Sequence, residues 1–319
     1  MFMKKVSLAC LLLCSTSAMA EKGTSFSELR VGFERISYSE VLADVANLGV
    51  LSQSISVTNP TVRQLSYSKL DDEWGFYIDS AATLSADIDT ETWSMNSFGD
   101  IQQNAFKIKA NEIGARVAYN YSPLLQLTMG GKFSTSSFTR SNFKFVQPGA
   151  KSFDDALIAL PRTPEDSVPR FLLPSQTTND AITPQQELDG RVLPVVSVTE
   201  DQMSMIFNAG VRYDTQFNKQ AQDFTWYAEA DVGVPVYNEI QNTQFETTTL
   251  SENFNGIDLT ARAGLRYHLT EKVAIVAGVD ALYKKRDVVS KVLENGKRLR
   301  VPEVEYDNIA VTAGIYWNY

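Results

Sequence analysis

Residues 305–319 read EYDNIAVTAGIYWNY. Every second residue back from the end gives Tyr319, Trp317, Ile315, Ala313, Val311 and Ile309, an apolar set that finishes in two aromatics. The set between them, Asn318, Tyr316, Gly314, Thr312, Ala310 and Asn308, is small or polar apart from Tyr316. A period of two belongs to a strand with two unlike faces. The stretch therefore predicts a strand that separates an apolar environment from a polar one, with no soluble tail after it.

The opposite end predicts export. Lys4 and Lys5 precede an apolar run from Val6 to Cys14, and Ala18-Met19-Ala20 is an A-x-A site before Glu21. This is the pattern of a secretory signal peptide, residues 1–20, cleaved after Ala20 and excluded from the fold. The apolar run is too short to cross a bilayer as a helix. Leu13 before Cys14 is too large for a lipoprotein site. Both cysteines leave with the leader, so disulfide and thiolate chemistry are not expected of the remainder. The whole chain carries a formal net charge of −9, and loss of the two leader lysines takes it to −11. That balance argues against nucleic-acid partners. The remaining 299 residues contain no apolar run of about 18, the length a spanning helix requires.

Ten segments alternate as the last one does: 28–38, 61–70 (weakly), 74–88, 107–121, 125–141, 202–214, 224–236, 256–268, 273–293 and 305–319. Most exceed the 9–11 residues with which a tilted strand crosses a membrane. The connections also alternate. Those at 71–73, 122–124, 215–223 and 269–272 are short, whereas 39–60, 89–106, 142–201 and 237–255 are long. Short turns on one side and long loops on the other resemble Gram-negative outer-membrane β-barrels. So does the terminal strand, because the assembly machinery of that class reads an alternating segment ending in an aromatic, with Trp317 and Tyr319 here as the signal. The class usually ends in Phe where this chain has Tyr. The resemblance implies an all-β, transmembrane, antiparallel up-and-down barrel over residues 21–319, of about ten strands and with a long external loop at 142–201. It also implies outer-membrane location. Twelve strands are the alternative, with extra ones drawn from 47–58 and 190–198, and would resemble a solitary autotransporter translocator.

Three features predict that the apolar face points outward. Trp74, Tyr119, Tyr121, Tyr213, Trp226, Tyr267, Trp317 and Tyr319 lie beside short turns or at the C-terminus, as in an interfacial girdle. The opposite face carries glycines near mid-strand, at 32, 114, 130, 210, 233, 264, 278 and 314, which suit a crowded, curved interior. That face also carries Arg30, Glu34, Asp79, Glu112, Arg116, Lys132, Arg212, Glu229, Asp231, Arg262, Arg266 and Asp280. A basic residue facing lipid at mid-membrane costs about 2–4 kcal/mol.

These twelve candidate lumen charges, six basic and six acidic, fit either a salt-bridged filling or a polar channel; balanced charges beside glycines favour the filling. For Arg262 and Arg266 the expected counter-charges are Asp280, Glu229 and Asp231. Seven of the eleven prolines fall in 142–201, where 153–160 suggests a short helix and 191–198 an extended piece. Beyond the membrane, Asn295-Gly296 suggests a hairpin turn. The basic residues beside it, Lys284, Lys285, Arg286, Lys291, Lys297, Arg298 and Arg300, suit either a solvated hairpin or lipopolysaccharide phosphates. The single histidine, His268, sits beside a short turn, far from the external rim where outer-membrane proteases of the omptin family place their Asp/Asp and Asp/His pairs. The expectation is a non-enzymatic surface barrel without cofactor or metal; a narrow porin-like pore and the translocator are the alternatives. The partners expected are outer-membrane lipids, lipopolysaccharide and the barrel assembly machinery.

Overall fold

The computed structural model describes residues 25–43, 45, 47–159, 197–218, 223–243, 249–292 and 298–319. The expected signal peptide, the expected turn at Asn295-Gly296, residues 190–196 and most of the proline-rich stretch lie outside these. The strands are β1 (Phe26–Leu42), β2 (Leu51–Lys69), β3 (Trp74–Thr83), β4 (Asp89–Met95), β5 (Gly99–Asn120), β6 (Leu125–Phe145), β7 (Ser197–Asp214), β8 (Phe224–Asn242), β9 (Thr249–Glu252), β10 (Ile257–His268), β11 (Val273–Arg286), β12 (Val289–Val292), β13 (Arg298–Val301) and β14 (Glu303–Asn318). Among the described residues an α-helix, α1, covers Gly149–Ala159.

Antiparallel pairing runs β1-β2-β3-β5-β6-β7-β8-β10-β11-β14 and back to β1, so the sheet closes on itself. β4 resumes the line of β3 after a break, pairing with the same neighbours. The ring therefore has ten staves. Of the two stretches that would have supplied an eleventh and twelfth, 47–58 lies largely in β2, and 197–198 opens β7. Several expected long connections are also shorter than their sequence suggested, because β2, β4, β5 and β8 run on past the apolar belt. The connection 39–60 shrinks to 43–50, and the segment 89–106 is mostly strand. Polar outward side chains hid these extensions.

The turns at 70–73, 121–124 and 269–272, the described ends of the one at 215–223, Ser25 and Tyr319 lie at one end of the ring. The ends meet there: the Tyr319 amide donates to the Ser25 carbonyl at 3.1 Å. The apolar face points outward. Leu29, Val31 and Phe33 on β1, and Ile309, Val311 and Ile315 on β14, are all exposed, whereas Arg30, Glu34, Asn308 and Thr312 between them are buried. The outward sides of β8, β10, β11 and β14 form an uncharged belt from Trp226, Tyr267 and Trp317 up to Val236, Ile257, Ala281 and Ile309. At the short-turn rim, aromatics pair across strands: Trp74 with Tyr119 at 5.1 Å, Tyr213 with Trp226 at 4.9 Å, and Phe224 with Tyr267 at 4.9 Å. These are the contacts of an interfacial girdle.

β2 breaks the pattern. Its inward residues include Ile55, Val57, Leu65 and Tyr67, while Gln64, Ser66 and Ser68 face outward. That inversion is why its alternation was weak in the sequence.

Candidate functional site

All twelve candidate charges face the interior, and eleven are buried; Arg262 is slightly less so. They stack in the lumen between an apolar layer below and another above. At the short-turn end, Phe26, Leu65, Tyr67, Tyr77, Ala118, Ala274, Val276 and Tyr316 form a buried cluster. Phe217, from the short helical turn after β7, folds under it at 5.1 Å from the Tyr67 ring. Two arginines cover this floor: Arg212 lies 4.2 Å from the Tyr227 ring, and Arg266 lies 4.7 Å from the same ring and 5.1 Å from that of Tyr316. Ten staves give a narrow interior, and aromatic rings of this size close it.

The middle layer is ionic and crosses the lumen. Arg266 bonds Glu28 at 2.6 Å and Asp214 at 2.8 Å, and Arg212 bonds Asp214 at 2.8 Å and Glu229 at 2.7 Å. Arg116 reaches Glu229 at 2.7 Å and Asp231 at 3.1 Å. Arg262 on β10 bonds Glu229 at 2.7 Å and Asp79 on β3 at 3.1 Å. β3 and β10 stand five staves apart in either direction, the largest separation a ten-stave ring allows. The Lys284–Glu112 pair, from β11 to β5, spans the same diameter. Arg30 forks onto both oxygens of Asp280 at 3.1 and 3.2 Å, Arg63 meets Glu34 at 3.1 Å, and Lys132 meets Asp258 at 2.7 Å. Gly264 and Gly278 are register partners on β10 and β11. A Cβ on the first would strike the Tyr227 ring, and one on the second the Arg30 guanidinium. The glycines make room for this layer.

Above it, Ile36, Tyr38, Ile55, Val57, Phe106, Ile108, Phe138, Val304 and Tyr306 pack into a second apolar cluster from β1, β2, β5, β6 and β14. Arg140 caps the cluster at 4.5 Å over the Phe138 ring, bonded to Glu91 at 2.6 Å and to Glu40 at 3.0 Å. Glu200 sits beside this cap, beyond the apolar belt, 3.9 Å from Arg286. Burial pushes its carboxyl above the ordinary value; Glu40 adds to the rise and Arg286 opposes it.

Some expected pairings are corrected. Arg266 takes Glu28 and Asp214 rather than Asp280, Glu229 or Asp231. The partners missed, Glu28, Arg63, Asp214 and Asp258, had a usable signal in three cases. Glu28 shares the parity of Arg30, Asp214 that of Arg212, and Asp258 that of Arg262. Arg63 lay on the inverted strand, where parity pointed the wrong way.

The basic hairpin set also divides. Lys284 and Arg286 point into the barrel, because they continue the inward parity of Asp280 on β11. Lys285 faces outward and bonds Glu303 at 2.8 Å. Lys291 and Arg300 are exposed on the β12–β13 hairpin, where Arg300 reaches the Ala43 carbonyl at 3.0 Å. Lys297 and the side chain of Arg298 lie outside the described residues. His268 bonds Thr225 at 2.9 Å at the short-turn end. Among the described residues, no cluster of His, Cys, Asp and Glu has the arrangement of a metal site.

No family model and no curated protein sequence matches the chain. Solved structures do resemble it. The outer membrane protease OmpT from Escherichia coli is 11% identical over 96% of this chain and 100% of its own, with a TM-score of 0.58. The translocator domain of autotransporter NalP from Neisseria meningitidis is 10% identical, covering 98% of this chain and 95% of its own at a TM-score of 0.34. OprG from Pseudomonas aeruginosa is 10% identical over 94% and 98%, with a TM-score of 0.32. The fold is that of an outer-membrane β-barrel. Its ten staves and outward apolar belt are those of that class.

Proposed function

We propose that the chain is a closed, non-enzymatic outer-membrane barrel that works at its long-loop face. The supporting observation is the set of ion pairs running the full diameter of the lumen, Arg262–Asp79 and Lys284–Glu112. A diffusion pore would need a path through these pairs and through the aromatic floor beneath them. The long-loop end is assigned to the cell exterior because the short turns and both termini share the opposite end, as a periplasmic start requires.

The partner that the outer wall suits is lipopolysaccharide. Immediately beyond the belt, Arg35 on β1 and Lys107 and Lys109 on β5 face outward, and all three are exposed. Lys291 and Arg300 stand further out on the hairpin. Cationic side chains at headgroup level attract anionic lipid. The test is binding of fluorescent lipopolysaccharide to barrels in phosphatidylcholine nanodiscs. Lys107→Glu with Lys109→Glu should weaken binding at least tenfold, and added salt should weaken it in the wild type. Unchanged binding in the double variant would refute the reading.

A further inference from the structure

The upper apolar cluster fills only one side of the lumen. On the other side, between β7, β8 and β11, a cavity of about 60 Å³ remains above Asp258 and Lys284. Its walls are Tyr38, Ile206, Ile240 and Tyr306, with Ser136 at one edge and Arg286 at another. At about 10–15 Å³ for each water centre, the space holds about four to six waters, comparable to a four-carbon acid.

Beside the cavity the strand pairing of the wall is interrupted. β10 begins only at Ile257, so above it β8 pairs with the short β9 instead, while β11 continues beside β14. Asn255 bridges the interruption, accepting from Asn238 at 2.9 Å and from the Asp287 amide at 2.8 Å. Ile257, whose side chain faces outward, also lines the cavity.

Arg286 and Asp258, both in the lining, carry buried polar atoms without a hydrogen-bond partner. The Arg286 side chain is nine-tenths buried. Nη2 donates to the Pro302 carbonyl at 3.2 Å, but Nε and Nη1 have no hydrogen-bond partner, and Glu200 stands 3.9 Å from Nη1. A buried guanidinium N–H left without an acceptor is costly, and an anionic oxygen such as a carboxylate makes the strongest hydrogen bond to it. Of the other charges lining the space, Lys284 bonds Glu112 and Ser134, Lys285 bonds Glu303, Glu239 accepts from the Tyr237 hydroxyl, and Asp258 accepts from Lys132 through Oδ1 while its Oδ2 stands 3.8 Å from Lys284.

We propose that this cavity binds a small amphipathic carboxylate. Its acid group accepts a single hydrogen bond from Nη1 of Arg286, and its short apolar body packs against Tyr38, Ile206, Ile240 and Tyr306. It enters where the wall is interrupted beside Asn255, just above the apolar belt. This inference does not depend on the lipopolysaccharide reading, since it uses the inside of the wall.

The test uses the full barrel in nanodiscs and saturation-transfer NMR with butyrate, against butyramide as the neutral isostere. Wild type should bind butyrate at least tenfold more tightly than butyramide. Arg286→Gln should abolish the preference. Ala110→Leu, which fills the cavity and keeps the arginine, should abolish binding in a barrel whose heat-modifiable gel shift is unchanged. Glu200→Gln, which removes the nearest competing carboxylate, should tighten butyrate binding several-fold. Absence of butyrate binding in the wild type would overturn the proposal. So would equal binding of butyramide, or binding indifferent to both Arg286→Gln and Ala110→Leu.

Discussion

Arg266 shows how much the interior depends on single side chains. It is fully buried, bonded to Glu28 and Asp214, and stacked on three aromatic rings. Arg266→Ala leaves two carboxylates short of a partner in a water-poor layer, and breaking a buried pair in this way costs about 3–5 kcal/mol. Urea unfolding in lipid vesicles should register a loss of that size, whereas a wet channel would screen it to almost nothing. Glu200 makes the opposite case. Its carboxyl is raised by burial, so the native state holds the proton more tightly than the unfolded chain does. Stability is then lost as pH rises from the ordinary carboxylate value through the raised folded one. Glu200→Gln should therefore be more stable than wild type at neutral pH, and the gain should fade below about pH 4, where the unfolded carboxyl is also protonated. Equal stability of the two across that range would contradict the assignment. Residue parity alone placed all twelve lumen charges on the inner face. It gave Arg262 its neighbouring-strand partner Glu229 but not the partners across the ring, because pairs such as Arg262–Asp79 join strands that share no edge, and distance across a ring is not written along any strand.

β14 and β2 mark the limits of legibility among the elements. β14 was read correctly to the residue face, because lipid outside and polar packing inside impose the strongest contrast a strand can show. β2 was barely visible: its inward Leu65 and Tyr67 belong to the apolar floor and its outward Gln64 and Ser66 are polar. A strand is legible only where its two sides meet unlike surroundings in the usual order. The strand extensions past the belt were lost for the related reason that both their faces meet water or protein. β14 pairs with β1 along one edge and β11 along the other, so it is the strand that closes the ring. Deletion of Trp317 to Tyr319 removes the register pairs Trp317–Ser27 and Trp317–Val273 together with the Tyr319–Ser25 bond. The truncated chain should fail to assemble and should lose the heat-modifiable gel shift of a folded barrel; a truncated chain that still shows the shift would contradict this role.

The whole molecule is a ring whose wall is shaped for lipid and whose middle is packed like a protein core. Its orientation is testable because no cysteine follows position 20. Asp287→Cys, at the long-loop end, should react with an impermeant maleimide on intact cells, and Thr270→Cys, in a short turn, only after lysis. The central claim is that the lumen is filled, and single-channel conductance in a planar bilayer tests it most directly. Wild type should show no steady conductance. Removing both diameter-spanning pairs, with Asp79→Ala and Glu112→Ala together, should introduce leak currents in whatever fraction still folds. Stable, ohmic channels in the wild type, unchanged by that double substitution, would contradict the account.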